Sequence, residues 1–119
     1  MGTIQLMAAK DVAALAVERE SFEPHGCAVR ARGQIDLYSA PVFKTALLGA
    51  LDEGVTDLVV DLTEVDFMDS TALGVLVGVS KRLRQAGGTL EVLTGNDTIR
   101  RVFELVGLSD HFNVPRPGS

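Results

Sequence analysis

The stretch VVDLTEVDFMDSTALGVL, residues 59–76, changes its hydrophobic pattern halfway along. The apolar run from Asp57 to Leu62 has the length of a buried strand, whereas apolar residues from Ala72 onward follow helical spacing. Between the two lies a short acidic loop. Because Asp69 or Ser70 can accept hydrogen bonds from the first free backbone N–H groups of a helix, we predict that this helix begins near Ser70.

A helical wheel of this helix separates a broad apolar arc from a nearly bare one. The apolar arc of about 200° is wide enough to pack on a sheet. It contains Ala72, Leu73, Val75, Leu76, Val77, Val79, Ser80 and Leu83. On the opposite arc, with Lys81 and Gln85, the residues Ser70, Gly74 and Gly78 form one row at four-residue spacing. A row with so few side chains offers a flat surface for another protein; alternatively, Ser70 only caps the helix and the glycines are tolerated.

The composition limits the kinds of partner. At 119 residues the chain is long enough for one domain. Its net charge of −5 and pI near 4.9 argue against nucleic acid and anionic membranes, which both require basic surfaces. No apolar stretch approaches the roughly 18 residues that span a bilayer. The single cysteine, Cys27, excludes an internal disulfide and has no companion for a metal site. We expect a cytoplasmic protein without cofactor or metal.

The remaining strands are predicted from alternation and turn residues. Residues 1–13 show no clear fold signal and are left unassigned, and residues 115–119 are a loose end. The strands are a half-exposed edge strand over 15–21, then 27–33, 89–93 and a short last strand over 111–114. The turn Glu23-Pro24-His25-Gly26 is short, so it makes the first pair antiparallel.

Two more helices complete the order of elements. Ser39 is predicted to cap the first, Pro41 suits its first turn and Gly54 ends it. Its apolar stripe is Val42, Phe43, Ala46, Leu47, Ala50 and Leu51. Gly87-Gly88 ends the second helix, and Asn96 or Asp97 caps a third, whose stripe is Ile99, Val102, Phe103 and Val106. The order β-β-α-β-α-β-α-β predicts one α/β domain over residues 14–114, with a mixed, mainly parallel sheet of about five strands.

Enzyme chemistry lacks the residues that it needs. Ser70 follows a strand as a nucleophile would, but the Gly-x-Ser-x-Gly turn is missing. A catalytic base would have to be His25 or His111, which the pattern places in a turn and near the last strand. No glycine-rich phosphate loop is present. A receiver domain would need an acidic pair after the first strand and a lysine after the last, yet the last lysine of the chain is Lys81. We therefore expect that the protein is not an enzyme.

Five segments carry a resemblance to a known family. They are GQID (33–36), DL (61–62), FMDSTALGVL (67–76), AGG (86–88) and VFELVGL (102–108). Together they resemble a STAS domain, and more narrowly the bacterial anti-sigma-factor antagonists. Two features depart from that family. Pro115 and Pro117 block the helix that usually follows the final strand, and residues 1–13 have no counterpart.

The resemblance implies a partner switch. An unmodified antagonist binds an anti-sigma factor that is also a serine kinase, and this binding frees the sigma factor. The kinase then uses ATP to phosphorylate the serine after the aspartate, here Ser70, and the antagonist dissociates. A serine phosphatase resets the switch. The alternative within the family is an accessory or scaffold module of a transporter or signalling assembly that never meets a kinase.

The predicted docking face collects the residues around this serine. It comprises Asp36, Asp66, Asp69, Ser70, Thr71, Gly74, Gly78 and Lys81. The three aspartates suit a basic patch on the partner. Thr71 is a possible second phosphate acceptor, although its position points it toward the Arg82 edge of the helix rather than along the glycine row.

Overall fold

A five-stranded sheet and two helices form the part of the chain that can be described. The computed structural model describes residues 4–8, 15–95, 97 and 99–101. The elements are β1 (Ile4–Ala8), β2 (Leu15–Phe22), β3 (Gly26–Ile35), α1 (Ala40–Asp52), β4 (Asp57–Met68), α2 (Ser70–Gln85) and β5 (Thr89–Thr94). Residues 97 and 99–101 are also helical. The predicted last strand over 111–114, the loose end and most of the third helical stripe lie outside these residues.

The sheet has the order β1-β2-β3-β4-β5. The β1–β2 and β2–β3 pairs are antiparallel, whereas β3–β4 and β4–β5 are parallel. The predicted α/β class and mixed sheet are confirmed. The two pair types are equal in number, however, because β1 adds a second antiparallel pair within the segment that the sequence pattern left unassigned.

The edge-strand prediction for residues 15–21 was wrong. Strand β2 is interior, since β1 pairs with one side of it and β3 with the other. Its alternation comes from burial of only one face: Leu15 and Val17 are buried, while Glu18 on the other face forms an ion pair with Arg32. The alternation of apolar and polar residues therefore indicates that one face of the sheet is buried, and it does not indicate whether the strand lies at the edge or in the interior of the sheet.

The core fills the space between one face of the sheet and the two helices. Its largest fully buried side chains come from both layers: Leu15, Val17, Val29, Ile35, Leu58, Val60 and Leu62 from the sheet, and Phe43, Leu47, Leu76 and Leu83 from the helices. The predicted apolar arc of α2 is confirmed, because six of its eight members are buried and Val75 and Val77 are half-buried. This packing fixes which side of α2 faces solvent.

Strand β4 extends well beyond its predicted end. The residues interpreted as an acidic loop, 63–68, continue the strand to Met68. Register shifts opposite β3 fall between Arg30 and Arg32 and between Gly33 and Gln34, so β4 contains extra residues that break the two-residue alternation. With those bulges, Val65 and Met68 still point into the core. The loop prediction failed because a bulged strand has no fixed period.

The helix ends follow the turn residues with one exception. Gly54 after α1 and Gly87 after α2 have φ values of +90° and +74°, as expected for the left-handed residues that stop a helix. Pro41 lies in the first turn of α1, as predicted. Ser39 occupies the N-cap position, but its side chain makes no capping hydrogen bond. Its hydroxyl donates instead to Gln34 O at 2.9 Å and accepts from Asp36 N at 3.0 Å.

Candidate functional site

The parallel strands β3 and β4 bring two aspartates to the same edge of the sheet. Ile35 pairs with Met68 at the ends of these strands. Asp36 follows the first and Asp69 follows the second, and Asp69 N donates to Ile35 O at 3.1 Å. Two of the predicted site residues, far apart in sequence, are therefore neighbours at the start of α2.

Asp69, and not Ser70, caps α2. Its Oδ1 accepts a hydrogen bond from Thr71 N at 2.9 Å, and its backbone is extended, as is usual for an N-cap residue. Ser70 is the first helical residue and its side chain is exposed. No described residue forms a hydrogen bond with its hydroxyl. The interpretation that Ser70 serves only as a cap is therefore excluded, and the hydroxyl is accessible to a partner.

Asp36 organises the loop between β3 and α1. Its Oδ1 accepts from Tyr38 N at 2.9 Å and from Ser39 N at 3.0 Å. The Ser39 N–H is the strongest influence on this carboxyl, and with the Ser39 hydroxyl and the Tyr38 N–H it holds the pKa of Asp36 below its usual value. Asp36 thus has a positioning role that the sequence did not suggest, in addition to the docking role predicted for it.

Gly74 and Gly78 line one wall of a groove and do not form a flat surface. Gly74 and Gly78 are exposed, and a Cβ added at either would meet no atom within 4 Å outside its own stretch of helix. Lys44 and Leu48 of α1 form the other wall of this groove, whose volume is about 320 Å³. The rest of its lining is Thr71, Val75 and Val79. The sequence missed the groove because it depends on where α1 packs.

Thr71 lies on the Arg82 edge of α2, as predicted, and also beside Gly74 and Gly78. Further along that edge, Arg82 forms an ion pair with Asp52 of α1 at 2.7 Å. The edge therefore faces α1, and Thr71 lines the groove together with Gly74 and Gly78. The expected separation between Thr71 and the glycine row does not exist.

The other two predicted docking residues lie farther from Ser70. Asp66 is exposed near the end of β4, three residues before the cap of α2. Lys81 is exposed on α2, about 16 Å along the helix axis from Ser70 at 1.5 Å per residue. A partner that touches both Ser70 and Lys81 must therefore extend over three turns of α2.

Three exposed apolar side chains near Ser70 were missed by the sequence analysis. Leu37, Tyr38 and Phe67 have exposed fractions of 64%, 88% and 49%. A signal was available for the first two, because Leu37-Tyr38 stands between a strand and a helix and belongs to neither apolar pattern. Phe67 gave no such signal, since its strand was interpreted as a loop.

Neither a metal-binding cluster nor a membrane-spanning helix is present among the described residues. They contain no group of three or more histidine, cysteine, aspartate and glutamate side chains placed to hold a metal ion. No helix among them is both long enough and apolar enough to cross a membrane. His25 lies in the turn before β3, away from Ser70, and His111 is outside the described residues.

Comparison with known proteins gives the family. The STAS domain profile matches residues 14–116. The chain belongs to the STAS domain family. The anti-sigma-B factor antagonist of Listeria monocytogenes is 49% identical to this STAS domain over 83 residues, which cover 69% of the chain and 72% of the relative. The anti-sigma-B factor antagonist of Bacillus subtilis is 38% identical over 86 residues, or 72% of the chain and 78% of the relative.

Solved structures share the fold. The crystal structure of an anti-sigma factor antagonist from Mycobacterium paratuberculosis superposes with a TM-score of 0.78 at 25% identity, covering 95% of this chain and 92% of that one. The Bacillus cell fate determinant SpoIIAA in its phosphorylated form gives a TM-score of 0.67 at 22% identity, covering 84% and 91%. The resemblance inferred from the five sequence segments is confirmed.

Proposed function

We propose that this STAS domain is an anti-sigma-factor antagonist whose partner is an anti-sigma factor with serine kinase activity. The unphosphorylated form binds the partner and releases the sigma factor, and phosphorylation of Ser70 ends the binding. The observation that carries the proposal is the exposed Ser70 side chain at the start of α2. Asp69 caps the helix in its place, and the next residue, Thr71, lines the groove between α1 and α2. The names of the relatives support an anti-sigma factor as the partner.

The proposed phosphorylation is a simple group transfer. The Ser70 hydroxyl oxygen attacks the γ-phosphorus of ATP, the bond to the β-phosphate oxygen breaks, and ADP leaves. A base on the kinase takes the hydroxyl proton. This chain supplies the acceptor and the docking face, and the kinase supplies the catalytic groups.

The fold tolerates the product of this transfer. A phosphate adds a charge of about −1.5 to −2 at pH 7. At Ser70 that charge lies at the N-terminus of α2, where free backbone N–H groups and the helix dipole favour an anion. We therefore expect phosphorylation to leave the domain folded, so that it acts on docking alone.

The docked complex does not tolerate the phosphate. A partner carboxylate about 6 Å away would be repelled by roughly 2–3 kcal/mol per unit charge at an effective dielectric constant near 20. Desolvation of the phosphate adds to this repulsion. The total approaches the roughly 5.5 kcal/mol that converts a mostly bound population into a mostly free one.

The docking face runs from the strand ends along α2. Asp36, Asp66 and Asp69 provide negative charge at the strand ends, which suits basic groups on the partner there, whereas the partner carboxylate that repels the phosphate faces Ser70 itself. Thr71, Gly74 and Gly78 form the groove that the partner enters, and Lys81 lies at the far margin. A serine phosphatase acts on the same exposed Ser70 to restore binding.

Phosphorylation by candidate kinases tests the proposal. The purified chain is incubated with ATP and each anti-sigma-factor kinase of the source organism, and intact mass spectrometry counts the phosphates added. The expected result is one phosphate on wild type and none on Ser70→Ala. Ser70→Ala should also retain the kinase in a pull-down in the presence of ATP, whereas wild type should lose it. No phosphate with any kinase would contradict the proposal and favour the accessory or scaffold module.

A further inference from the structure

Exposed apolar side chains are concentrated at the end of the sheet where α2 begins. Four large hydrophobic residues among the side chains described are substantially exposed: Phe22, Leu37, Tyr38 and Phe67. Phe22 lies at the end of β2, next to the turn at the start of β3. The other three lie at the opposite ends of the strands, near the start of α2, and we call them the anchor patch. Exposed apolar groups gathered in one place mark binding surfaces more often than scattered ones do.

The strand pairing holds the anchor patch together. Phe67 precedes Met68, which pairs with Ile35, and Leu37 and Tyr38 follow Ile35 by two and three residues. The hydrogen bond from Asp69 N to Ile35 O ties the two strand ends at 3.1 Å. The anchor patch is therefore built from two segments and lies at the same end of the sheet as the residue that we propose is phosphorylated.

The loop that carries Tyr38 is fixed by hydrogen bonds. Asp36 Oδ1 accepts from the backbone N–H groups of Tyr38 and Ser39, at 2.9 and 3.0 Å. The buried Ser39 hydroxyl donates to Gln34 O at 2.9 Å, and Ala40 N donates to Asp36 O at 2.8 Å. These hydrogen bonds hold the backbone of the loop, and the Tyr38 side chain that the loop carries is 88% exposed. A loop whose backbone is already hydrogen-bonded loses less entropy on binding, and an aromatic side chain has only two χ angles to order.

We propose that Tyr38, with Leu37 and Phe67, is the anchor by which this chain docks onto its kinase, an inference that rests on the proposed function. The partner surface that fits is an apolar pocket ringed by lysine or arginine. The pocket accepts the aromatic anchor, and the basic ring matches the carboxylates of Asp36 and Asp66, which adjoin the anchor patch in sequence. Buried aromatic anchors of this kind carry most of the affinity of many interfaces.

The anchor and Ser70 have separate roles. The anchor patch carries no charge and does not change on phosphorylation, so it supplies affinity in both states of the chain. Ser70 supplies the repulsion that ends binding. A substitution in the anchor should therefore weaken docking before phosphoryl transfer without altering the transfer itself, which raises KM and leaves kcat unchanged.

Kinetics of Ser70 phosphorylation test the anchor. The probe is the purified kinase that phosphorylates wild-type Ser70, and the variants are Tyr38→Ser and the matched control Phe22→Ser. We expect Tyr38→Ser to raise KM by at least about 30-fold, the effect of a strong interface residue, with kcat within about twofold and the Tm within about 2 °C. Phe22→Ser removes an exposed aromatic ring at the other end of the sheet and should leave KM unchanged, with its Tm measured alongside.

Different results separate the two proposals. A KM for Tyr38→Ser within about threefold of wild type, while the phosphorylated wild-type chain no longer binds the kinase, overturns the anchor and leaves the switch intact. Failure of every kinase to bind or phosphorylate wild type overturns both. Sedimentation of the chain alone distinguishes self-association: if Tyr38→Ser converts a dimer to a monomer while KM stays at the wild-type value, the patch joins two copies of this chain and the kinase anchor is wrong.

Discussion

Alanine at Gly74 and Gly78 should separate stability from docking. Both glycines lie inside α2, both are exposed, and an added Cβ meets no atom within 4 Å outside its own stretch of helix. Alanine therefore fits the free domain and improves its helix by about 0.5–1 kcal/mol at each position. The double variant should raise the free energy of unfolding by about 1–2 kcal/mol, which corresponds to a rise in Tm of roughly 3–10 °C for a domain of this size.

The same two methyl groups should obstruct the partner. They would project into the groove between α1 and α2, beside Thr71. Extra methyl groups in a closely packed contact cost about 1–3 kcal/mol, so Kd for the unphosphorylated chain should increase by roughly 5- to 150-fold. If the proposed docking is correct, glycine at these two positions lowers the stability of the helix and leaves space for the partner.

Urea denaturation and calorimetry measure the two effects on the same samples. Unfolding followed by circular dichroism gives the stability, and titration with the partner kinase gives Kd. Gly49→Ala is the matched control: Gly49 lies in α1, where an added Cβ would make an ordinary contact of 3.5 Å with Arg19 Nη1 and would not enter the groove. It should not weaken docking. A double variant that binds with wild-type affinity, or that is less stable than wild type, would refute the reasoning.

Substitutions at three further positions test the fold that supports the site. Gly88→Ala should lower the free energy of unfolding by more than about 1 kcal/mol, because its Cβ would overlap the carbonyl oxygen of Thr56; urea denaturation that shows no loss would contradict this. Asp69→Ala should destabilise the domain by about 1 kcal/mol through loss of the α2 cap, and Asp69→Ser should restore most of it in the same assay. Burial alone would raise the pKa of Asp61. Hydrogen bonds from Thr63 and the ion pair with Arg30 outweigh the effect of burial and hold that pKa below the ordinary 3.8. Because Asp61 is more acidic when folded, its stabilisation is complete above about pH 4 and is lost as the pH falls through the folded pKa, so Asp61→Asn should flatten the acid side of a stability-against-pH curve.

The local sequence pattern was enough to predict an element where its buried residues repeat at one constant spacing. Helix α2 and its exposed row at Ser70, Gly74 and Gly78 could be predicted because its buried face repeats at helical spacing from Ala72 to Leu83. Strand β4 could be predicted only to Leu62, since the bulges beyond it reset the alternation. Strand β1 was missed because five residues carry too few repeats to establish a period.

The features of the site that could not be predicted from sequence are likewise those that depend on tertiary structure. Either Asp69 or Ser70 could have capped α2, and only the observed hydrogen bond to Thr71 decides between them. The groove depends on the packing of α1 against α2, which no local pattern encodes. The exposure of Tyr38 likewise depends on how Asp36 folds the preceding loop.

Calorimetric titration of one kinase with the chain before and after phosphorylation of Ser70 tests the switch most directly. The unmodified chain should bind, and the phosphorylated chain should bind at least about 100-fold more weakly. This loss is expected because the phosphate, with a charge of about −1.5 to −2, is repelled by a partner carboxylate. Both forms should keep the same circular dichroism spectrum, because the phosphate lies at the N-terminus of α2. A phosphorylated chain that is fully folded and binds within about threefold of the unmodified one would contradict the account.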